Sequence, residues 1–172
     1  MAALNASAPA FALPDLGGRI HKLEEYRGQL VLLDFWSAEC PWSVRADREL
    51  AKWPADLLAA SVLLRLAMNA DESIDAIRTE SERRFQGTVL LDPDRKVTDA
   101  YGAGFTPEFF LLDRKGTVRY HGALDDATFR HPAATRPYLE DALRALLSGR
   151  APDPGETPGY GCAIVRWNIE GK

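Results

Sequence analysis

Two residues in this chain carry obvious chemistry, Cys40 and Cys162, and they lie more than a hundred residues apart. Two cysteines are too few for a disulfide-built scaffold, and neither has neighbours at zinc-ligand spacing. Cys40 stands in Cys40-Pro41-Trp42-Ser43, after the apolar run Leu30-Val31-Leu32-Leu33-Asp34-Phe35 and before a helical pattern that opens at Pro41. Proline is well tolerated in the first turn of a helix, which places Cys40 at the N-cap. Unpaired backbone N–H groups and the positive end of the helix dipole favour a thiolate there, and the thiolate is the nucleophile of disulfide exchange. The pattern therefore predicts a reactive Cys40, with an inert buried cysteine as the rival.

The elements that must position Cys40 are readable. Phe11–Leu16 and Arg19–Leu23, joined by Gly17-Gly18, predict a hairpin. Leu30–Phe35 predicts a central strand buried on both faces. The helix from Pro41 runs to about Leu58, with a kink or break at Pro54. Ser61–Leu66 and Thr88–Leu91 read as further strands, with a helix between them from the capping residues Asp71-Glu72-Ser73 to about Phe85. Asp94–Tyr101 is a short helix or turn. Phe109–Leu112 and Thr117–Tyr120 form a hairpin around Asp113–Gly116, and Pro137 to about Leu147 is a last helix stopped near Gly149. Residues 151–159 are rich in proline and glycine, and the apolar run Cys162–Trp167 that follows is expected to pack against something. Strands alternating with helices indicate an α/β domain with a mixed sheet.

Composition narrows the partners. With 172 residues, 46% hydrophobic and 27% charged, the chain has room for one domain and one core. A net charge of -4 with no basic run argues against nucleic acid as a partner. No stretch approaches the roughly 18 apolar residues of a membrane span. The start Met1-Ala2-Ala3-Leu4-Asn5 has neither a basic n-region nor an apolar h-region, which favours a cytoplasmic protein as written; an exported, periplasmic one is the alternative if a leader was removed. His21, His121 and His131 are scattered and read as surface or packing residues, so no metal and no cofactor is expected.

Asp34-Phe35-Trp36-Ser37-Ala38-Glu39-Cys40-Pro41-Trp42 closely resembles the strand-to-helix junction of thioredoxins, Asp-Phe-Trp-Ala-x-x-Cys-x-x-Cys. Phe105-Thr106-Pro107-Glu108-Phe109-Phe110-Leu111-Leu112-Asp113 resembles the Thr-Pro-x-x-Phe-Leu-x-Asp segment of TlpA/ResA-like thioredoxins. The resemblance covers roughly residues 9–147 and implies a thioredoxin fold, a mixed central β-sheet flanked by helices, with an N-terminal hairpin. It further implies Cys40 as nucleophile, Pro107 as a cis-proline beside it, Thr106 as a source of backbone groups for an extended substrate, and Asp34 as a buried carboxylate that relays protons. For Asp34, a buried acid satisfied by its neighbours is the rival. Trp36 reads as packing, while Trp42 and Pro41, next to the sulfur, read as substrate-docking residues.

The family pattern breaks at Ser43, which stands where thioredoxins carry the second cysteine. A hydroxyl cannot accept the mixed disulfide, which leaves a monothiol exchanger, an introduced serine, or a distant resolving cysteine. The tail Gly161-Cys162-Ala163-Ile164-Val165-Arg166-Trp167 resembles the Gly-Cys-x-Ile-Lys-Trp ending of a peroxiredoxin-like group of AhpC/TSA redoxins, whose Glu-Cys-Pro motif also lacks a second cysteine. Tyr120-His121-Gly122-Ala123-Leu124-Asp125-Asp126 matches the same group's Tyr-x-Gly-x-x-Asp-Asp. That resemblance implies a Cys40–Cys162 redox pair; Cys162 as a small apolar anchor for the tail is the rival. The chain thus divides into a redoxin domain, residues 1–150, and a linker and tail, 151–172.

The expected activity is thiol–disulfide exchange on protein or small-molecule disulfides, with an external reductant. A weak thiol peroxidase is the alternative. True peroxiredoxins use Pro-x-x-x-Thr-x-x-Cys; here Ser37 falls at the threonine but Leu33 at the proline, and in their register Ser43 would hold the sulfur position. A non-catalytic module holding a client through Trp42 and Pro107 is the reading from another class.

Overall fold

A computed structural model of the chain describes residues 1–167; residues 168–172, the end of the stretch assigned to the tail, lie outside the described residues. Strands β1 (Ala12–Pro14) and β2 (Ile20–Lys22) form the expected hairpin, followed by a 3-10 turn over Leu23–Tyr26. The central strand β3 (Leu30–Trp36) leads to α1 (Pro41–Leu50), and α2 (Ala55–Leu58) follows after the break at Pro54. Then come β4 (Ser61–Ala67), α3 (Ile74–Arg84), β5 (Thr88–Leu91), α4 (Lys96–Tyr101), β6 (Phe105–Thr106), β7 (Glu108–Leu112), β8 (Val118–Gly122), α5 (Tyr138–Leu147) and β9 (Cys162–Ala163).

Five strands make the main sheet in the order β5-β4-β3-β7-β8. β4 runs parallel to β3 and to β5, whereas β7 is antiparallel to both β3 and β8. β3 is buried along its whole length, which is why it reads as a continuous apolar run. Side chains alternate across a strand. Val31, Leu33 and Phe35 join Leu64, Leu66, Phe110 and Leu112 in one core layer, and Leu30 and Leu32 join Phe109, Leu111, Leu50 and Leu143 in the layer beneath α1 and α5. Each such large buried side chain contributes about 1.5–3 kcal/mol. The same parity puts Asp34 on the α1 side of the sheet, directly across from Arg65 in the β3–β4 register. No helix among the described residues is long and apolar enough to cross a membrane.

The stretch read as a linker is docked on the sheet edge. The His121 N–H donates to Gly155 O at 3.1 Å and the Thr157 N–H to His121 O at 3.0 Å. The hydroxyl of Thr157, buried, accepts from the Ala123 N–H at 3.0 Å and lies 2.8 Å from Tyr120 Oη. The chain then turns across the C-terminal end of β3, and Ile164 enters the same core layer as Phe35 and Tyr101.

Candidate redox site

Pro41 occupies the first turn of α1, and Cys40 caps it in an extended conformation with φ -74° and ψ 121°. The Val44 N–H donates to Cys40 O at 3.1 Å, so the helix starts at the cysteine. The approach from β3 is held by side chains. Ser37 Oγ accepts from the Cys40 N–H at 2.9 Å and from the Glu39 N–H at 3.2 Å, and donates to Glu72 Oε1. Glu72 Oε2 accepts from the Ala38 N–H at 3.0 Å. Arg84 donates to the carbonyls of Ser37, at 3.1 Å, and Ala38, at 2.6 Å. Ser43, fully buried, accepts from the Ser37 N–H at 3.2 Å and ties the strand exit to the first turn of the helix.

Cys162 is the partner sulfur. It forms a disulfide with Cys40 across a Cα–Cα distance of 6.2 Å. The peptide between Thr106 and Pro107 is cis. Beside it, β6 and β9 pair antiparallel, with Thr106 opposite Cys162 and Phe105 opposite Ala163. The backbone of Thr106 therefore serves an extended strand, and that strand is the chain's own tail. Cys40 Sγ sits 3.0 Å from Thr106 O. Gly161 crosses this backbone so closely that a Cβ there would collide with the Thr106 carbonyl. Cys40 is only 3% exposed, whereas Cys162 is half-buried.

Asp34 lies under α1 with both carboxylate oxygens buried and lacking a hydrogen-bond partner among the described residues. Arg65 Nε is 3.7 Å from Oδ2, within ion-pair range but too far for a hydrogen bond. Burial pushes the Asp34 carboxyl up to about 8, opposed by the Arg65 and Arg84 charges and reinforced by Asp47. Arg65 spends its hydrogen bonds on Asp47, at 2.9 and 3.1 Å, and stacks over Phe85 with 3.4 Å to the ring centroid. Asp47 also accepts from Trp36 Nε1 at 3.0 Å, which makes Trp36 a packing residue. An acid that is largely protonated near neutral pH is suited to giving or taking a proton. Trp42, half-buried, meets Tyr160 and Phe129 edge-to-face at 4.9 and 5.3 Å between ring centroids.

The AhpC/TSA family model matches residues 4–121, more than half of the chain. The chain belongs to the AhpC/TSA family. A thiol-disulfide oxidoreductase ResA from Geobacillus thermodenitrificans is 32% identical over 120 residues, covering 68% of this chain and 67% of its own. A Mycobacterium tuberculosis protein named as a peroxiredoxin is 27% identical over 121 residues, covering 69% of this chain and 76% of its own. The crystal structure of a hypothetical protein from Sinorhizobium meliloti superposes with a TM-score of 0.85 at 31% identity, covering 98% of this chain and 97% of that one. The fold of this AhpC/TSA protein is the thioredoxin fold, shared with the crystal structure of a protein named as thiol:disulfide interchange protein DsbE from Chlorobium tepidum at a TM-score of 0.65 and 26% identity, covering 87% of this chain and 98% of that one.

Of the residues picked from the sequence, Cys40, Pro41, Ser43, Thr106, Pro107 and Cys162 come together around the bridge, Trp42 stands at its rim, and Asp34 lies beneath α1. Sequence reasoning passed over Glu72, Asn69, Arg84, Tyr160 and Phe129. Glu72 was visible only as a capping residue; Ser73 is the N-cap of α3, accepting from the Ala76 N–H at 3.1 Å, which leaves Glu72 for the loop before Cys40. The three histidines do not meet: His21 bonds Asp15 and Tyr26, at 2.9 and 2.6 Å, and His121 bonds Glu108 at 2.6 Å. Among the described residues no group of three or more potential metal ligands forms.

Proposed function

We propose that the protein is a thiol–disulfide oxidoreductase that cycles between a dithiol and the Cys40–Cys162 disulfide. The observation that carries this reading is the β6–β9 pairing, which sets Cys162 against the cis-proline loop, 6.2 Å Cα to Cα from Cys40. The Cys40 thiolate attacks one sulfur of a substrate disulfide, protein or small-molecule, and releases the other as a thiolate. The Cys162 thiolate then attacks Cys40 Sγ, closes the bridge and expels the remaining substrate sulfur. Asp34 supplies or takes the proton that this exchange moves. An external thiol reductant restores the dithiol. Ser43 has no sulfur to contribute and serves the loop instead.

The relative named as a peroxiredoxin favours a second reading, in which peroxide oxidises Cys40 to a sulfenate and Cys162 condenses with it, releasing water. Cys40 at the helix start, not one turn inside, supports the exchanger. The deciding experiment is mass spectrometry of alkylated protein after dithiothreitol, after a small disulfide and after stoichiometric peroxide. Both cysteines of the reduced protein should alkylate, and the Cys40–Cys162 peptide should return with the disulfide. A folded, reduced protein whose Cys40 resists alkylation would overturn the enzyme reading and leave the client-binding module. Turnover of peroxide in a steady-state assay would promote the peroxidase. A cytoplasmic cycle and an exported one are told apart by the redox state of the pair in acid-quenched cell fractions.

A further inference from the structure

We propose that the docked tail selects the disulfide this protein reduces: with β9 in place, the Cys40 thiolate takes low-molecular-weight disulfides and excludes extended polypeptides. The proposal rests on the two-cysteine cycle above and adds to it the substrate class.

The β6 edge has one place. A strand edge beside a nucleophile is where an extended polypeptide adds, pairing its N–H and C=O groups with those of the edge. Here Phe105 and Thr106 already pair with Ala163 and Cys162, and the Ile164 N–H donates to Gly104 O at 3.1 Å. Gly161 lies against the Thr106 carbonyl with no space even for a Cβ. A polypeptide at Thr106 must therefore remove β9, and Cys162 leaves with it. Such a substrate carries off the sulfur that would resolve its own adduct. A small disulfide needs no strand pairing, so its adduct on Cys40 and the docked Cys162 coexist.

The anchors that hold β9 do not include the bridge. Ile164 is buried in the core layer of Phe35 and Tyr101. Asn69 Oδ1 accepts from the Val165 N–H at 3.0 Å, the Ala70 N–H donates to Val165 O at 3.0 Å, and Arg166 pairs with Asp99. Upstream, the buried Thr157 hydroxyl accepts from the Ala123 N–H at 3.0 Å. None of these contacts involves a sulfur, so the edge stays occupied in the dithiol form that meets the substrate. The surface beside the bridge offers no pocket to a flanking side chain either. The cavity lined by Trp42, Pro107, Ala123 and Tyr160 is about 10 Å³, room for at most one water.

The electron count closes. The Cys40 thiolate bonds to one sulfur of the small disulfide, whose S–S bond breaks, and the electron pair leaves on the second sulfur, which takes a proton from solvent. Cys162, its proton passing to solvent, attacks Cys40 Sγ and releases the first small sulfur as a thiolate, which is protonated in turn. Two electrons pass from the protein, which is left as the disulfide, to two small thiols.

The test uses the reduced full chain with Cys162→Ser, in which an adduct on Cys40 cannot be resolved. The probes are oxidised glutathione and a disulfide-linked dimer of an unstructured peptide. Adduct formation is followed by mass spectrometry, and each rate is divided by the same probe's rate with dithiothreitol, which removes intrinsic reactivity. The peptide is expected to react at least tenfold more slowly than glutathione. Adding Gly161→Ala, or independently Ile164→Asp, frees the edge; the peptide should then gain at least tenfold while glutathione changes less than threefold. Equal normalised rates with the tail docked, or a preference that neither second substitution alters, overturn the proposal. A folded, reduced protein whose Cys40 forms no adduct with either probe overturns the exchanger reading itself, and is seen before any second substitution is made.

Discussion

Asn69 holds Glu72 and the tail with opposite ends of one amide: Nδ2 donates to Glu72 Oε1 at 2.9 Å while Oδ1 accepts from the Val165 N–H at 3.0 Å. Glu72 in turn takes hydrogen bonds from the loop that delivers Cys40, and the Ala70 N–H donates to Val165 O at 3.0 Å. Docking of the tail and placement of the nucleophile are therefore joined through two side chains. Once the disulfide is reduced, Asn69, the β6–β9 pairing, Ile164 and the Arg166–Asp99 ion pair are what keep Cys162 near Cys40.

Glu72 places a carboxylate close to the N-terminus of α1, one hydroxyl away from the Cys40 N–H. Charge at a helix end is worth about 0.3–1 kcal/mol, which corresponds to roughly half a pKa unit. In a Cys162→Ser background, Glu72→Gln should shift the pH profile of Cys40 alkylation downward by about that much. A slower rate with an unmoved profile would assign Glu72 to holding the loop alone.

The bridge should make the oxidised form the more stable. Closing a loop of more than a hundred residues is worth up to about 4–5 kcal/mol in the chain-entropy account, and 2–4 °C per kcal/mol applies at this chain length. Wild-type protein should melt roughly 10 °C higher oxidised than reduced, and Cys162→Ser should show no such difference. Equal melting temperatures with and without dithiothreitol would sink the bridge.

Asp34 has a consequence for stability against pH. Its carboxyl sits near 4 in the unfolded chain and about 8 in the fold, raised chiefly by burial. Below pH 4 both states are protonated. As pH rises from 4 to 8 the unfolded chain gains by ionising and the fold does not, so stability is lost through that window and levels off above it. Asp126 acts in the opposite direction, because hydrogen bonds from Thr135 and Arg136 hold it at about 2, but its window lies below pH 4. Asp34→Asn should flatten the decline between pH 5 and pH 8, by an amount on the order of a few kcal/mol. The same variant should slow bridge opening and closing near neutral pH, read by stopped-flow tryptophan fluorescence. An unchanged rate leaves Asp34 as a structural acid.

Much of this was legible along the chain because it is local. A buried strand shows as the run from Leu30, a helix start as Pro41 after Cys40, and a helix break as Pro54. What escaped is non-local. Arg65 interrupts an apolar strand, which flags a buried charge, but its pairing with Asp47 depends on α1 lying over the β3–β4 register. The family tail motif indicated that Cys162 matters; that it lies along Thr106 is a pairing of segments more than fifty residues apart, which no local pattern encodes. Glu72, Asn69 and Phe129 look like ordinary surface residues until the tail is placed.

Gly161 gives the sharpest test of tail docking. A Cβ at this position collides with Thr106 backbone, which cannot swing away as a side chain could, so alanine must push β9 off β6. Gly161 is not among the glycines with positive φ, so alanine brings no backbone strain of its own, and its effect on the unfolded chain, a loss of conformational entropy, favours folding. The rest of the domain should fold as before. Gly161→Ala should slow Cys40–Cys162 closure at least tenfold after addition of a small disulfide, and Cys40 adducts with that disulfide should accumulate where wild-type protein shows none. Gly87→Ala, where φ is not positive and a Cβ meets only ordinary van der Waals contacts, serves as the glycine control and should close at the wild-type rate. Wild-type closure in Gly161→Ala would mean that Cys162 reaches Cys40 without the strand pairing, and the tail would then be a tether and not a docked strand.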